Sequence, residues 1–283
     1  FMYVFDRVTG QPLWPIEERP VPKGDVPGEW YAPTQPFPLN GRGQPFKYDS
    51  QGFLEDDLID FTPELRAEGR KVIARYQIGP IFTPPVVSKA DGPIATLSMA
   101  SAAGGTNWPG GSYDPETNIL YVNSQKTVAQ LLGLIPPRDP SRNDLAYVMG
   151  SALTGARTTG AAADGGRAPA PGANVPQAAA AGGEGAGGAG GVNVQGLPIM
   201  KPPYGQLTAI DLAKGEILWQ VPHGETPDDI RNHPALKGLN IPRTGRPGVV
   251  GSLTTKTLVI SGEAGFGPTP SGAMVSRPIC STP

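Results

Sequence analysis

An asparagine–tryptophan pair at the end of a glycine run is the part of the sequence best suited to contact a ligand. Asn107 and Trp108 follow Gly104 and Gly105, with one threonine between. Glycine lets the backbone approach a ligand closely because no Cβ is in the way. The amide can hydrogen-bond a polar ligand, and the large flat ring can pack against one. A structural role also fits, with Trp108 as a core ring and Asn107 as a turn residue, and the residues alone leave both interpretations open.

Other catalytic or metal-binding arrangements find little support in the sequence. His223 and His233 are the two histidines, and neither has a cysteine nearby, which argues against a zinc site. A Ser-His-Asp hydrolase stays open, but the Gly-x-Ser-x-Gly elbow is absent. The glycine-rich segments lack the Gly-Lys-Ser/Thr ending of a phosphate-binding loop. We therefore assign no catalytic residue and no metal ligand within this chain.

The composition favours many short strands and turns over a helical protein. Of the 283 residues, 39 are glycine, 34 are proline and only 17% are charged. The net charge of -2 gives no indication of a nucleic-acid partner or of an acidic membrane surface. The single cysteine, Cys280, excludes an intramolecular disulfide, and no apolar stretch is long enough to span a bilayer. The length suits one large all-β domain or two smaller ones.

A short hairpin pattern recurs along the chain. Residues 3–14 and 207–219 both read strand, Asp, three residues, Gly, three residues, Trp, with the rings at Trp14 and Trp219. The aspartate can accept hydrogen bonds from turn amides, and the glycine can take the position of positive φ. Residues 113–122 form a looser third copy, with Asn118 in place of the glycine. Repetition of a strand-rich unit predicts a β-propeller or another repeat array.

Two segments between the hairpins differ from this pattern. Residues 15–38 are rich in proline, which predicts an extended and irregular connection. A helix is predicted over residues 62–76, because Thr62 is a good N-cap and Pro63 suits the first helical position. No other segment of the chain predicts a helix as convincingly.

A low-complexity stretch interrupts the chain at residues 150–196. It consists almost entirely of alanine, glycine, proline, serine and threonine, so it cannot bury enough apolar surface to fold. We predict a disordered surface insertion there. Residues 258–260 predict a further strand, whereas the strand pattern fails after Gly265.

Several motifs in combination resemble the pyrroloquinoline-quinone (PQQ)-dependent dehydrogenases, and most closely the membrane-type quinoprotein glucose dehydrogenase branch. This resemblance implies an all-β fold, an eight-bladed β-propeller of four-stranded antiparallel blades. Residues 1–283 would form an incomplete part of it, with one short helix and the disordered Gly/Ala-rich insertion. The Asp-Gly-Trp hairpins resemble the family's tryptophan-docking motif, whose rings pack between neighbouring blades. The resemblance is carried by residues 3–10, 33–38, 60–65, 107–108, 113–117 and 207–211.

The resemblance also implies where the cofactor PQQ would bind. Asn107 would hydrogen-bond the cofactor, and Trp108 would form a wall of its pocket. A loop containing Val249 and Val250 resembles one that faces the cofactor from a later blade. The family's catalytic aspartate, the basic residue that assists it, the Ca²⁺ ligands and the tryptophan floor would all precede Phe1. We therefore expect a fragment that has no dehydrogenase activity by itself.

The implied activity is oxidation of an alcohol or of an aldose sugar of the glucose type, with electrons passed to ubiquinone or to a cytochrome. The implied location is the periplasm, on the outer face of the inner membrane, with association through a segment that precedes this chain. A competing interpretation is a non-catalytic β-propeller scaffold with quinoprotein-like repeats. Such a scaffold would keep the Asp-Gly-Trp hairpins but would not need the glycine run before Asn107 and Trp108, and this feature favours the enzyme.

Overall fold

A computed structural model describes residues 1–99, 105–107, 109–126, 130–156, 192–263, 267–268, 274–275 and 278–281. These residues form mostly short antiparallel strands, as predicted for an all-β chain. The helices are α1 (Pro63–Ile73) and α2 (Asp228–Arg231). The strands are β1 (Ile16–Pro20), β2 (Thr34–Pro38), β3 (Val86–Val87), β4 (Thr96–Ser98), β5 (Gly111–Asp114), β6 (Ile119–Gln125), β7 (Gln130–Ile135), β8 (Val148–Ser151), β9 (Gly155–Ala156), β10 (Asn193–Val194), β11 (Leu197–Pro198), β12 (Gly205–Asp211), β13 (Glu216–Pro222), β14 (Ser252–Thr254), β15 (Val259–Gly262), β16 (Gly267–Pro268), β17 (Met274–Val275) and β18 (Pro278–Ser281).

The three predicted hairpin turns have the backbone geometry that the sequence indicates. Gly10, Asn118 and Gly215 have positive φ values of 73°, 58° and 65°. Asp211 accepts hydrogen bonds from the amides two and three residues after it, each at 3.0 Å. The aspartates of the other two turns accept backbone amides in the same manner. The Asp-Gly pattern therefore specifies each turn locally.

Strands β5, β6, β12 and β13 form a four-stranded antiparallel sheet, which has the composition of one propeller blade. Successive side chains of β6 point to opposite faces of the sheet. On one face Val122 joins a buried cluster with Trp14, and on the other Tyr121 joins a cluster with Val259. The sheet therefore packs against a different part of the chain on each face, as a blade inside a propeller does.

Trp14 docks the first hairpin onto this blade. Its side chain is 7% exposed, and its Nε1 donates a hydrogen bond to the carbonyl of Leu212 at 3.1 Å. Its ring also packs edge-on against Phe46, with 4.9 Å between the ring centroids. For Trp14, this contact agrees with the docking role that the resemblance implied.

Strands β14, β15 and β18 form the next antiparallel sheet. This sheet adjoins the first one, because Thr254 Oγ1 of β14 donates a hydrogen bond to Ser112 Oγ of β5 at 2.7 Å. Strand β18 lies in the tail, where the sequence predicted no strand. It pairs with β15 over four residues, so the chain continues the sheet pattern beyond Gly265.

Helix α1 begins as predicted but ends early. Thr62 is its N-cap and accepts a hydrogen bond from the amide of Leu65 at 3.2 Å, with Pro63 in the first helical position. The helix ends at Ile73, whereas the sequence predicted an end at Tyr76. A second short helix, α2, was not predicted. The one-helix expectation was therefore incomplete.

The predicted insertion over residues 150–196 was too wide at both ends. Residues 150–156 contain the end of β8 and all of β9, and residues 193–194 form β10. Val192 and Val194 are buried in the same cluster as Leu65 of α1, which explains why this end of the segment is folded. Residues 157–191, the central part of the predicted insertion, lie outside the described residues.

Two predictions near the start of the chain were also wrong. Residues 3–5, the start of the first hairpin pattern, were expected to form a strand, but only Phe5 makes a bridge, to Pro12. The proline-rich residues 15–38 were expected to be irregular throughout, but β1 and β2 pair there in antiparallel register. This pair is a two-stranded sheet, and such edges tolerate proline because no further strand needs its missing amide.

The remaining strands lie between β6 and β12 or just before β5. Strands β3, β7, β8 and β9 form one sheet, to which β4 adds through β7. The pairing of β3 with β7 is parallel, whereas all other strand pairs of the described residues are antiparallel.

Among the described residues, no helix has both the length and the apolar character needed to cross a membrane.

Candidate functional site

The turn that contains Asn107 is fixed to one end of the blade. The amide of Gln125 donates a hydrogen bond to the carbonyl of Gly105 at 2.8 Å. Thr106 Oγ1 donates to the carbonyl of Asn123, also at 2.8 Å. Both partners belong to the last residues of β6, at the end opposite the Asp-Gly turns. We call residues 105–107 and 109–110 the Asn107 turn.

The segment that contains Val249 and Val250 lies beside the Asn107 turn. Both valines are half-buried and precede β14, the first strand of the next sheet. A Cβ added to Gly251 would lie 3.9 Å from the Cβ of Pro109. The structure therefore brings together two parts of the chain that the resemblance assigned to one cofactor site. We call residues 246–251 the Val249 segment.

A buried polar network, which the sequence did not predict, joins the two sheets below these loops. Asn123 Nδ2 donates a hydrogen bond to Ser261 Oγ at 2.8 Å. His223 Nε2 lies 2.7 Å from the carbonyl oxygen of Gly262, so Nε2 must carry the proton. Burial lowers the pKa of His223 below its ordinary 6.5, and the Gly262 carbonyl and the Glu263 charge oppose this only in part. His223 is therefore a neutral donor at neutral pH.

The same network holds both ends of the Val249 segment. At the first end, the amide of Arg246 donates to the carbonyl of His223 at 2.8 Å, and its Nε lies 3.8 Å from Oε1 of Glu263. At the other end, the carbonyl of Gly251 accepts a hydrogen bond from the amide of Gly262 at 3.2 Å. The position of the two valines thus depends on contacts with both sheets. We call Asn123, His223, Arg246, Ser261 and Glu263 the seam network.

Several buried polar atoms around these loops accept or donate no hydrogen bond within the described structure. They include Asn123 Oδ1, Ser124 Oγ, Arg246 Nε and Ser252 Oγ. Buried polar atoms are usually satisfied, and a ligand or water can supply the missing partner. Asn123 and Ser124 lie near the end of β6 beside the Asn107 turn, and Ser252 begins β14 directly after the Val249 segment.

The cofactor implied by the resemblance fits this set of residues. PQQ is a flat quinone that carries carboxylate groups, so it needs hydrogen-bond donors at its edge and apolar walls at its faces. The hydroxyls of Ser124 and Ser252 and the amide of Asn107 are suitable donors, and the side chains of Val249 and Val250 are suitable walls.

The outcome for the predicted site residues is mixed. Asn107, Val249 and Val250 lie in neighbouring loops, but their role in binding a cofactor stays a prediction. Trp108 lies outside the described residues. In the described part of the chain, no group of three or more His, Cys, Asp or Glu side chains could hold a metal ion. The expected Ca²⁺ ligands outside this chain also stay a prediction.

Comparison with known proteins relates the chain to a single family. Residues 1–265 match the family described as "PQQ: Glucose/ethanol/alcohol dehydrogenase, beta-propeller domain". The chain is 30% identical over 262 residues to a probable quinate dehydrogenase (quinone) of Xanthomonas campestris pv. juglandis, covering 90% of this chain and 28% of that protein. It is 30% identical over 234 residues to the glycerol dehydrogenase large subunit of Gluconobacter thailandicus, covering 78% of this chain and 27% of that protein.

A more distant relative is the quinoprotein glucose dehydrogenase of Escherichia coli (strain K12), which is 27% identical over 251 residues, covering 87% of this chain and 28% of that protein. The chain thus spans less than a third of the length of the curated relatives it matches. No solved structure matches the chain significantly. With nearly the whole chain matched and the strands arranged in blade-like sheets, the chain belongs to the β-propeller domain family of the PQQ-dependent glucose, ethanol and alcohol dehydrogenases.

Proposed function

We propose that this chain is part of a PQQ-dependent dehydrogenase that oxidises an alcohol or an aldose sugar. The observation that carries this proposal is the meeting of the Asn107 turn and the Val249 segment at facing ends of two neighbouring sheets. Buried polar atoms without a hydrogen-bond partner among the described residues lie in or next to both segments. A bound cofactor can supply the partners that these atoms need.

The residues of this chain contribute binding and orientation to the proposed site. Asn107 donates a hydrogen bond to a cofactor oxygen, and Trp108 packs beside the cofactor. Val249 and Val250 cover part of one face and exclude water from it. When bound, PQQ supplies the capacity to accept two electrons from the substrate carbon. The seam network fixes the distance between the two loops, so both contact the cofactor together.

The proton-abstracting aspartate and the Ca²⁺ ligands are expected in parts of the protein outside this chain. The chain by itself is therefore expected to lack dehydrogenase activity. The electrons are expected to pass to ubiquinone or to a cytochrome, at the outer face of the inner membrane. These expectations follow the resemblance, and the quinate, glycerol and glucose dehydrogenases among the relatives support the substrate class.

Reconstitution of the whole apoprotein with PQQ and Ca²⁺ tests the proposal. We expect dye-linked oxidation of at least one alcohol or sugar from a panel containing ethanol, glycerol, glucose and quinate. Chelation of Ca²⁺ should abolish the activity, and added Ca²⁺ should restore it. A protein that neither binds PQQ nor oxidises any member of the panel would instead be the non-catalytic scaffold.

A further inference from the structure

An ion pair that is largely shielded from solvent lies beside the Asn107 turn. Its two residues do not belong to the site described above. Nζ of Lys126 lies 3.8 Å from Oδ1 of Asp49, and the two side chains are only 12% and 9% exposed. The exposed pair of Arg70 and Glu55 provides a contrast, since those side chains are each 55% exposed and hydrogen-bond at 2.7 Å. Lys126 and Asp49 are thus withdrawn from water without making a direct hydrogen bond.

Both members of the pair have unused hydrogen-bonding capacity. Asp49 Oδ1 accepts the amide of Ser50 at 2.7 Å, but Asp49 Oδ2 is buried and accepts nothing from the described residues. The ammonium group of Lys126 donates no hydrogen bond to any side chain or carbonyl in the described part of the chain. Oδ2 of Asp49 is thus a buried charged atom without a hydrogen bond from the described residues, which is costly, so it calls for an additional partner.

The backbone holds both residues against the Asn107 turn. Asp49 follows Tyr48, whose hydroxyl donates a hydrogen bond to Thr106 Oγ1 at 3.1 Å. Lys126 follows Gln125, whose amide binds the carbonyl of Gly105. Each member of the pair is therefore one residue away from a direct contact with the turn.

Further contacts keep the two backbones in place. The amide of Lys126 donates to the carbonyl of Tyr204 at 2.8 Å. The carbonyl of Tyr48 accepts hydrogen bonds from the side-chain amides of Gln206 and Gln220, at 3.2 and 2.7 Å. A pair fixed in this way is preorganised, so a ligand that bridges it does not need to order it first.

The charges of the pair define the chemistry of that partner. Asp49 would repel a carboxylate, and Lys126 would repel a cation. A neutral hydroxyl satisfies both, because its oxygen can accept from the ammonium group while its hydrogen is donated to the carboxylate. An oxygen about 2.8 Å from each group would complete the hydrogen bonds that the pair lacks.

We propose that Lys126 and Asp49 form a subsite that binds a second hydroxyl group of the substrate, beside the hydroxyl that is oxidised. This inference rests on the proposed function and narrows its substrate class to polyols and sugars. The pair would act in specificity and takes no part in proton or hydride transfer.

The test removes one hydroxyl from the substrate and one charge from the protein. The whole holoenzyme is assayed with the polyol that it oxidises fastest and with the monodeoxy analogues of that polyol. In the wild type, loss of the recognised hydroxyl should lower kcat/KM by about ten- to a hundredfold, the value of a hydrogen bond to a charged group. In the Asp49→Asn variant, removal of the same hydroxyl from the substrate should lower kcat/KM by less than about threefold, because the hydroxyl is no longer recognised. Glu55→Gln, at the exposed pair, should discriminate like the wild type.

A second variant controls for misfolding of the first. The double variant Asp49→Asn, Lys126→Met leaves no unpaired buried charge and should show the same loss of discrimination. If either folded variant still discriminates between polyol and deoxy analogue as the wild type does, the pair is structural or binds only water, and the proposal is overturned.

Failure of the proposed function would be visible separately, as a wild-type holoenzyme that oxidises no alcohol. The subsite is then decided by titration of the wild type and Asp49→Asn with glucose and glycerol, followed by intrinsic fluorescence. Weaker binding to Asp49→Asn supports the subsite, whereas equal binding or no binding to both contradicts it.

Discussion

His223 and Gly262 join two sheets through a hydrogen bond of 2.7 Å between the imidazole Nε2 and the backbone carbonyl. His223 directly follows β13, and Gly262 ends β15. The imidazole is buried, and its pKa lies below the ordinary value because of that burial. This contact makes the junction of the two sheets sensitive to the protonation state of one residue.

Acid should weaken the junction at His223. The pKa of His223 is lower in the folded state than its ordinary value of 6.5. The stability that the neutral imidazole contributes is therefore fully present above pH 6.5. This contribution is lost as the pH falls from 6.5 towards the folded-state pKa. We expect thermal unfolding of the wild type to shift to lower temperature over this acidic range, and the variant His223→Gln to show a smaller shift.

The other histidine supplies the control for this experiment. His233 lies in a loop and its imidazole is partly exposed, so His233→Gln should keep the pH dependence of the wild type. At about pH 8, His223→Gln itself should be destabilised by roughly 1–3 kcal/mol through the altered buried hydrogen bond. An identical acid shift in all three proteins would show that His223 does not control the junction.

The ion pair of Arg246 and Glu263 should control cofactor affinity without supplying a catalytic group. Glu263→Gln removes the charge that faces the Arg246 guanidinium, so the Val249 segment loses a side-chain contact at its first end while its two backbone hydrogen bonds remain. We expect the PQQ concentration for half-maximal reconstitution to rise about three- to tenfold, with kcat recovered at saturating PQQ. Arg42→Met, at an exposed ion pair with Glu216, should leave the titration unchanged.

Trp14 should be the most important tryptophan for stability among the three in the described residues. Trp14→Ala removes a buried ring and its hydrogen bond to Leu212, and it should lower the free energy of unfolding by about 3–5 kcal/mol. Trp30 is 80% exposed, so Trp30→Ala should change it by less than about 0.5 kcal/mol. Urea unfolding followed by circular dichroism measures both. Equal effects of the two substitutions would argue against the docking role.

The hairpin turns could be predicted from the sequence because all their interactions are local. Asp211 bonds to amides two and three residues later, and Gly215 meets the need for positive φ four residues later. The seam network could not be predicted in this way. Asn123 and Ser261 are 138 residues apart, and only the packing of one sheet on the next brings them together.

The same distinction between local and long-range interactions explains the segments that were predicted wrongly. Strand β18 has no strand pattern of its own and forms because β15 offers a free edge. The end of the predicted insertion folds because Val194 is covered by α1, more than a hundred residues earlier. The site residues Asn107, Val249 and Val250 came from the resemblance, since their residue types alone fit an ordinary turn and loop equally well.

The most direct test of the proposed function is a PQQ titration of the whole apoprotein carrying Asn107→Ala, followed by dye-linked activity. Loss of a hydrogen bond in a dry pocket should weaken PQQ binding by about 1–3 kcal/mol, roughly ten- to a hundredfold, with part of the rate recovered at high PQQ. Trp108→Ala should weaken binding through lost packing, and Asn240→Ala, at an exposed loop residue, should match the wild type. If Asn107→Ala and Trp108→Ala both titrate as the wild type does, the pair is structural and the cofactor site lies elsewhere.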